Sequence, residues 1–247
     1  MIAQTAAETS TDDRPAGAAP PIDTRLHPLV ALRAARALIA TGDTNQVFIL
    51  LRAMRGRSGV RNFRRFAKSD AGQAVLNQKR DLLPLLQDRE GLRRLPAGSL
   101  GRTYLEFMES EDLSAEALVM ASRDWDNDPV PPDVQRFRAR MRELHDINHV
   151  VTGYGRDPLG ELCLLTYMYR QNGNLGMLMV VALSWSRLPP AARKAVGEAW
   201  RLGHKARWMA EQDWETLLAR PLDEVRQKLD ITLPVIYPPL AELRAVA

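Results

Sequence analysis

Apolar residues recur three and four positions apart through most of the chain, the spacing of amphipathic helices. "RLHPLVALRAARALIATG" keeps that spacing until Gly42, and Asp43 stands where a side chain would cap the following "TNQVFILLRAMRG". "DAGQAVLNQKRDLLPLLQDREGLRRL" predicts short helices punctuated by Gly72, Pro84 and Gly91, and Ser99 predicts a cap for the helix in "PAGSLGRTYLEFMES". Residues 122–132, "SRDWDNDPVPP", read as a loop. No run alternates convincingly enough for a strand, and no repeat is present. The pattern predicts an all-α fold: residues 1–25 as a disordered tail, then a single-domain helical bundle of about ten helices over residues 26–240.

The most informative periodicity runs from Asp133 to Thr152. At about 100° per residue, Val134, Phe137, Met141, Leu144 and Val151 make one apolar stripe. His145 and His149 stack one turn apart at its edge, Arg138 and Arg142 project on nearly the same side, and Asp146 lies further toward the polar face. Gly153 and Gly155 end this helix. Asp157 and Pro158 then read as the cap and first position of the next, running to about Gln171, which puts Glu161 in its first turn. A tight turn between the two helices would bring Glu161 back near His149.

Composition narrows the class. The chain has 247 residues with a formal charge of +4, and its 34 basic and 30 acidic residues are intermixed, so no nucleic-acid stripe stands out. A basic face against anionic lipid or an anionic substrate stays open. The single cysteine, Cys163, excludes an internal disulfide or a cysteine-based zinc finger and reads as a small packed residue. The amino-terminal residues lack an apolar signal core and carry Glu8, Asp12 and Asp13, unlike a transit peptide. The most apolar segment, "LGMLMVVALSW", falls well short of the ~20 residues of a membrane span. It reads first as a buried core helix, and second as the flexible, methionine-bearing lining of a cavity; both hold if the core helix lines a cavity.

Histidines at i and i+4 can aim both imidazoles at one ion. Asp in the second place of HDxxH, one methylene shorter than Glu, argues against a metalloprotease. Two imidazoles with one or two carboxylates suit zinc, and equally iron or manganese. The competing reading is an ordinary helix edge, with Asp146 a surface charge and Glu161 facing the helix dipole. Glu161 does not occupy the capping-box position after Asp157, which removes its simplest structural role. From the residues alone both readings stand. Arg138 and Arg142 are candidates for an anionic group, against a solvated face beside Glu143; that bland reading is favoured for Arg138, while Arg142 is retained as a catalytic candidate. His204 and Trp208, one turn apart, read as structural.

His145, Asp146 and His149, followed after eleven residues by Glu161, resemble the HDxxH-x11-E signature of the ubiquinone (coenzyme Q) biosynthesis proteins required for assembly of the quinone-synthesis complex. "PAGSLGRTYLEFMESEDLS", "RELHDINHVVTG", "GELCLLTYMYRQNGNLGML" and "WETLLARPLDEVRQKLDITLP" are similar to that family's segments, the last to its carboxy-terminal helix. Together they cover about residues 43–238. The resemblance implies an all-helical protein holding a divalent metal, zinc first, through His145, Asp146, His149 and Glu161. It implies action on a polyprenylated benzoic-acid ring, with loss of the carboxyl and hydroxylation at the same carbon. It also implies a prenyl-binding cavity, other quinone-biosynthesis enzymes as partners, and peripheral contact with membrane lipid. The expected place is the cytoplasmic side of the inner membrane, and a homodimer is admitted. The alternative is a non-catalytic prenyl-lipid-binding scaffold that organises those enzymes. A helical hydrolase ranks lowest, because no nucleophile or glycine-rich oxyanion motif accompanies the histidines.

Overall fold

The protein, seen in a computed structural model, is described over residues 22–113 and 129–237. Thirteen α-helices and no strand lie among the described residues. They are α1 (Pro28–Thr41), α2 (Asn45–Ala53), α3 (Ser58–Phe66), α4 (Asp70–Asn77), α5 (Leu83–Gln87), α6 (Arg89–Arg94) and α7 (Leu100–Ser110). After the gap in the description come α8 (Pro132–Thr152), α9 (Pro158–Asn172), α10 (Leu175–Trp185), α11 (Pro190–Lys205), α12 (Trp214–Leu217) and α13 (Leu222–Lys228). A 3-10 turn spans Met209–Glu211. The all-α single-domain expectation holds, with more helices than about ten because several are only one or two turns long.

Side-chain caps start six of the thirteen described helices. Ser99 accepts from Arg102 N as expected, and Asp43 accepts from Asn45 N at 3.0 Å. Gly72 and Gly91 do not break helices. Each lies inside one, and its amide is the donor that Ser69 or Asp88 caps. The predicted loop's last residue, Pro132, is the first of α8, where a missing N–H costs nothing. Residues 122–128 of that loop, 1–21 of the expected tail, and the domain's last three residues lie outside the described part. The segment expected as one carboxy-terminal helix is two, α12 and α13, because Pro221 interrupts it. Backbone bonds from Leu100 N to Arg220 O and from Leu222 N to Gly98 O tie the starts of α7 and α13 together.

One apolar core joins α1, α2, α7, α8, α9, α10 and α11, and α9 packs most extensively along α11. A smaller cluster of Phe66, Val75, Phe137, Trp208 and Ala210 closes one end. Arg140, buried in α8, binds Glu215 through two 2.7 Å contacts and also donates to Gln212 O. The stripe on α8 is buried as read, except that Met141 is half-buried. Beyond it, every residue from Asp146 to Thr152 is buried, polar ones included, so the second histidine lies inside the protein.

α10 combines the two readings, packing one side into the core and lining a groove with the other. Val180 and Val181 are buried, but Leu175, Ala182 and Trp185 are exposed. Its outer side borders an apolar groove of about 400 Å³ lined by Leu178, Val181, Trp185, Val196 and Trp200 with Thr166. Cys163 is fully buried, and burial pushes its thiol up to about 12, as suits an inert packed residue. Trp208 is buried with its Nε1 on Asn172 Oδ1, and the exposed His204 pairs with Arg170, so both are structural.

Candidate metal centre

Helix α8 ends because Gly153 takes a left-handed φ of +77°, donating its N–H to His149 O. The chain then turns through five residues to Asp157, whose carboxylate accepts from Leu159 N and Gly160 N and starts α9. Gly160 permits the close return: a Cβ there would sit 2.1 Å from Gly155 O. Any side chain would push α9 away from the turn, and Glu161 with it.

This turn brings Glu161 beside the Nε2 atoms of the two histidines, while Asp146 meets His145 at its Nδ1. The rings of His145 and His149 lie 4.8 Å apart at 70°. Glu161 Oε1 is 3.5 Å from His149 Nε2, and Oε2 is 3.7 Å from His145 Nε2. His145, Asp146 and His149 each offer a ligand atom within 4.8 Å of the others. His149 has a fully buried side chain, whereas those of His145 and Glu161 are about one-third exposed, so the cluster opens to solvent on their side.

Hydrogen bonding sets the tautomers. His149 Nδ1 lies 2.9 Å from the carbonyl of Tyr154, so that nitrogen carries the proton and donates, leaving a lone pair on Nε2. His145 Nδ1 lies 3.1 Å from Asp146 Oδ1, which orients the ring with Nε2 toward Glu161. Phe107 stacks on His149 at 5.9 Å and 22°, shielding its far face. His149 Nε2 is buried without a hydrogen-bond partner. A lone pair facing a carboxylate is repulsive unless a proton or cation lies between them, so the donor set fits a divalent ion.

Burial alone would lower His145, but the Asp146 carboxylate on its Nδ1 and the neighbouring Glu161 carboxylate outweigh this and hold the imidazole at about 9. Burial would raise Glu161, yet the imidazoles of His145 and His149 beside it hold the carboxyl well below the usual range.

Arg142 is half-buried on α8 with its Nε out of water. Arg138 is half-buried too, and burial raises the carboxyl of Glu143, so this is not the solvated face expected from sequence. The guanidinium found beside the carboxylate is instead that of Arg156, whose Nε is 3.6 Å from Glu161 Oε1. Helical projection could not find it, because it sits in the turn. The only sequence signal is a lone arginine between the terminating glycine and the next cap.

The sequence profile of a family described as Coenzyme Q (ubiquinone) biosynthesis protein Coq4 matches residues 25–235. A mitochondrial ubiquinone biosynthesis protein COQ4 of Clavispora lusitaniae is 26% identical over 212 residues, 84% of this chain and 61% of that protein. One from Paracoccidioides brasiliensis is 30% identical over 70% of this chain and 59% of its own length. A homolog from Danio rerio is 27% identical over 70% and 64%. The chain thus spans about three-fifths of the length of these relatives. A crystal structure of a ubiquinone biosynthesis protein from Nostoc punctiforme superposes with a TM-score of 0.62 at 22% identity, covering 83% of this chain and 98% of that one, which shows a shared fold.

Proposed function

The chain belongs to the coenzyme Q (ubiquinone) biosynthesis protein Coq4 family, and from that premise we propose that it takes part in ubiquinone biosynthesis as a metal-dependent protein acting on a polyprenylated benzoic-acid ring. The observation that carries this reading is the buried Nε2 of His149, without a hydrogen-bond partner and 3.5 Å from one Glu161 oxygen, with His145 Nε2 3.7 Å from the other. His145, Asp146, His149 and Glu161 would hold the ion. Bound there, a divalent ion supplies Lewis acidity toward the ring's carboxylate or phenolate; zinc suits this, and iron or manganese would add oxygen activation.

The chain's own residues divide the remaining work. Tyr154 O and Asp146 fix the two imidazole tautomers. Phe107 keeps water from the His149 face, and Arg156, with Arg142 as the candidate on α8, presents a cation to the substrate carboxylate. Replacing a ring carboxyl by hydroxyl releases carbon dioxide, adds one oxygen atom and removes two electrons. An oxidant such as dioxygen must therefore accompany the hydroxylating version of the reaction. Loss of carbon dioxide with a proton taking its place requires none.

The alternative, a prenyl-binding scaffold for the other quinone-biosynthesis enzymes, draws support from the apolar groove. Thr166 in that groove and Glu161 are about 140° apart around α9, so a prenyl tail lying there would pass on a different side of the helix from the ion. Lipid contact would suit α1, whose outward face carries exposed Leu29, Leu32 and Ile39 beside Arg33 and Arg36. No helix among the described residues is long and apolar enough to cross a membrane. The deciding experiment incubates metal-loaded protein with a soluble carboxylated ring analogue, with and without dioxygen, and measures carbon dioxide and ring product. Turnover abolished by His149→Ala supports the enzyme. No turnover by protein that nonetheless binds prenyl lipid supports the scaffold.

A further inference from the structure

The turn that carries the metal centre is held from outside by the carboxy-terminal segment. Arg226 of α13 donates to Val150 O and Val151 O, two of the last carbonyls of α8. Residues 231–237 then run back over the turn as an extended strap. Leu233 and Pro234 lie over Gly153, within 2.9 and 3.6 Å of where its Cβ would be. Val235 N and Ile236 N both donate to the buried carboxylate of Glu198 on α11, the latter at 2.8 Å. Tyr237 finishes the strap. Its hydroxyl donates to Asp157 Oδ2, accepts from Gly155 N at 3.2 Å, and its ring meets Tyr154 edge-on at 5.4 Å.

These contacts fall on the groups that set the metal geometry. Tyr154 supplies the carbonyl that fixes His149, and Gly155 follows it. Asp157 caps the helix whose first turn holds Glu161. One hydroxyl therefore ties together the part of the turn that orients an imidazole and the part that orients a carboxylate. We propose that Tyr237 and the 231–237 strap are positioning elements of the metal centre, so that strap docking and metal binding reinforce each other. This rests on the metal reading above. By reciprocity, an ion that holds the turn in place must also tighten the strap.

Tyr237→Phe removes the hydroxyl and keeps the ring against Tyr154. Zinc affinity is measured by chelator competition on the full chain, and the cobalt(II) absorption spectrum reports ligand geometry. Val75→Ala, in the separate cluster with Phe66 and Phe137, serves as a destabilised control. The expected result is about a tenfold or greater loss of zinc affinity and an altered cobalt spectrum for Tyr237→Phe, the size typical of outer residues around a metal. Val75→Ala should match wild type, and zinc should slow amide exchange at Val235 and Ile236. Equal affinity in wild type and Tyr237→Phe, or an equal loss in both variants, overturns the proposal. Wild-type protein that binds no zinc overturns the metal reading itself, which is a distinct result.

Discussion

His149 Nε2 and Glu161 Oε1 lie 3.5 Å apart across the turn that joins α8 to α9. Neither residue's own helix specifies that approach. It depends on a left-handed Gly153, a capping Asp157 and a side-chain-free position at 160. Because the pair shares one ion in the proposed scheme, His149→Ala should lower zinc affinity by more than the roughly 100-fold that outer residues reach. Glu161→Gln, which keeps the shape but not the charge, should weaken it less than His149→Ala. Isothermal titration with circular dichroism as the folding control checks both, and full occupancy in folded His149→Ala would remove the metal scheme.

Zinc affinity should depend on pH through His145. Its folded pKa is raised, with burial opposing and the carboxylates of Asp146 and Glu161 prevailing, to about 9. At neutral pH the ion must therefore displace a proton, and affinity should rise about tenfold per pH unit between 6.5 and 8.5 from this group alone. Without metal the sign is opposite. A histidine raised on folding contributes stability that is complete below its unfolded value near 6.5 and is lost as pH climbs through about 9. Thermal unfolding in chelator should show the metal-free protein weakening over that range. A pH-independent zinc affinity would contradict the assignment.

Arg156 and Arg142 differ in what they should do. The Arg156 guanidinium lies beside Glu161 and is one-third exposed, so a carboxylate arriving at the site would meet it. A charge-assisted hydrogen bond is worth roughly 1.5–3 kcal/mol when buried; with solvent screening the lower end applies, about tenfold. Arg156→Ala should weaken binding of a benzoate analogue to metal-loaded protein by about that factor. If Arg142→Ala has the larger effect, the α8 arginine is the anion partner.

The parts of this site legible in the sequence are those that lie within single helices. The two histidines show at once because one turn of α8 stacks them, and Glu161 shows because Asp157 and Pro158 mark the start of α9. Arg156 and Tyr154 lie in a turn, where no period assigns a direction. Tyr237 reaches Asp157 across 80 residues, a contact that local pattern does not encode. The burial of Asp146 is hidden for another reason: its place toward the polar face suggests a surface charge, but every residue of α8 from Asp146 to Thr152 is buried. α10 shows the limit of an all-round apolar pattern, which fits core and groove alike: Val180 faces the core while Leu178 and Trp185 line the groove.

Arg140 and Glu215 lock α8 to α12 and should matter for stability alone. Their side chains are 3% and 13% exposed and meet through two short contacts. Removing one partner leaves a buried charge unpaired, at a cost of about 3–5 kcal/mol. Arg140→Met should be less harmful than Glu215→Ala, because the Glu215 side chain it leaves unpaired is the more exposed of the two and methionine keeps the apolar stem packed. Chemical denaturation measures the difference, and unchanged zinc affinity in the folded fraction of both variants would separate this bridge from the metal centre.

Gly197 offers a direct test of the groove. It sits in the middle of α11, where glycine is about 1 kcal/mol worse than alanine, and nothing lies within 4 Å of the Cβ it lacks. Packing therefore gives no reason for a glycine there, and a side chain would project into the groove it lines with Leu178 and Val196, the space proposed for a prenyl tail. Gly197→Ala should raise stability by up to about 1 kcal/mol. Gly197→Leu should leave the fold and zinc affinity intact while reducing binding of a fluorescent prenyl lipid, because it fills the groove on the side of α9 away from Glu161. Unchanged prenyl binding in Gly197→Leu would mean that the tail lies elsewhere, and the scaffold reading would then lose the observation that favours it.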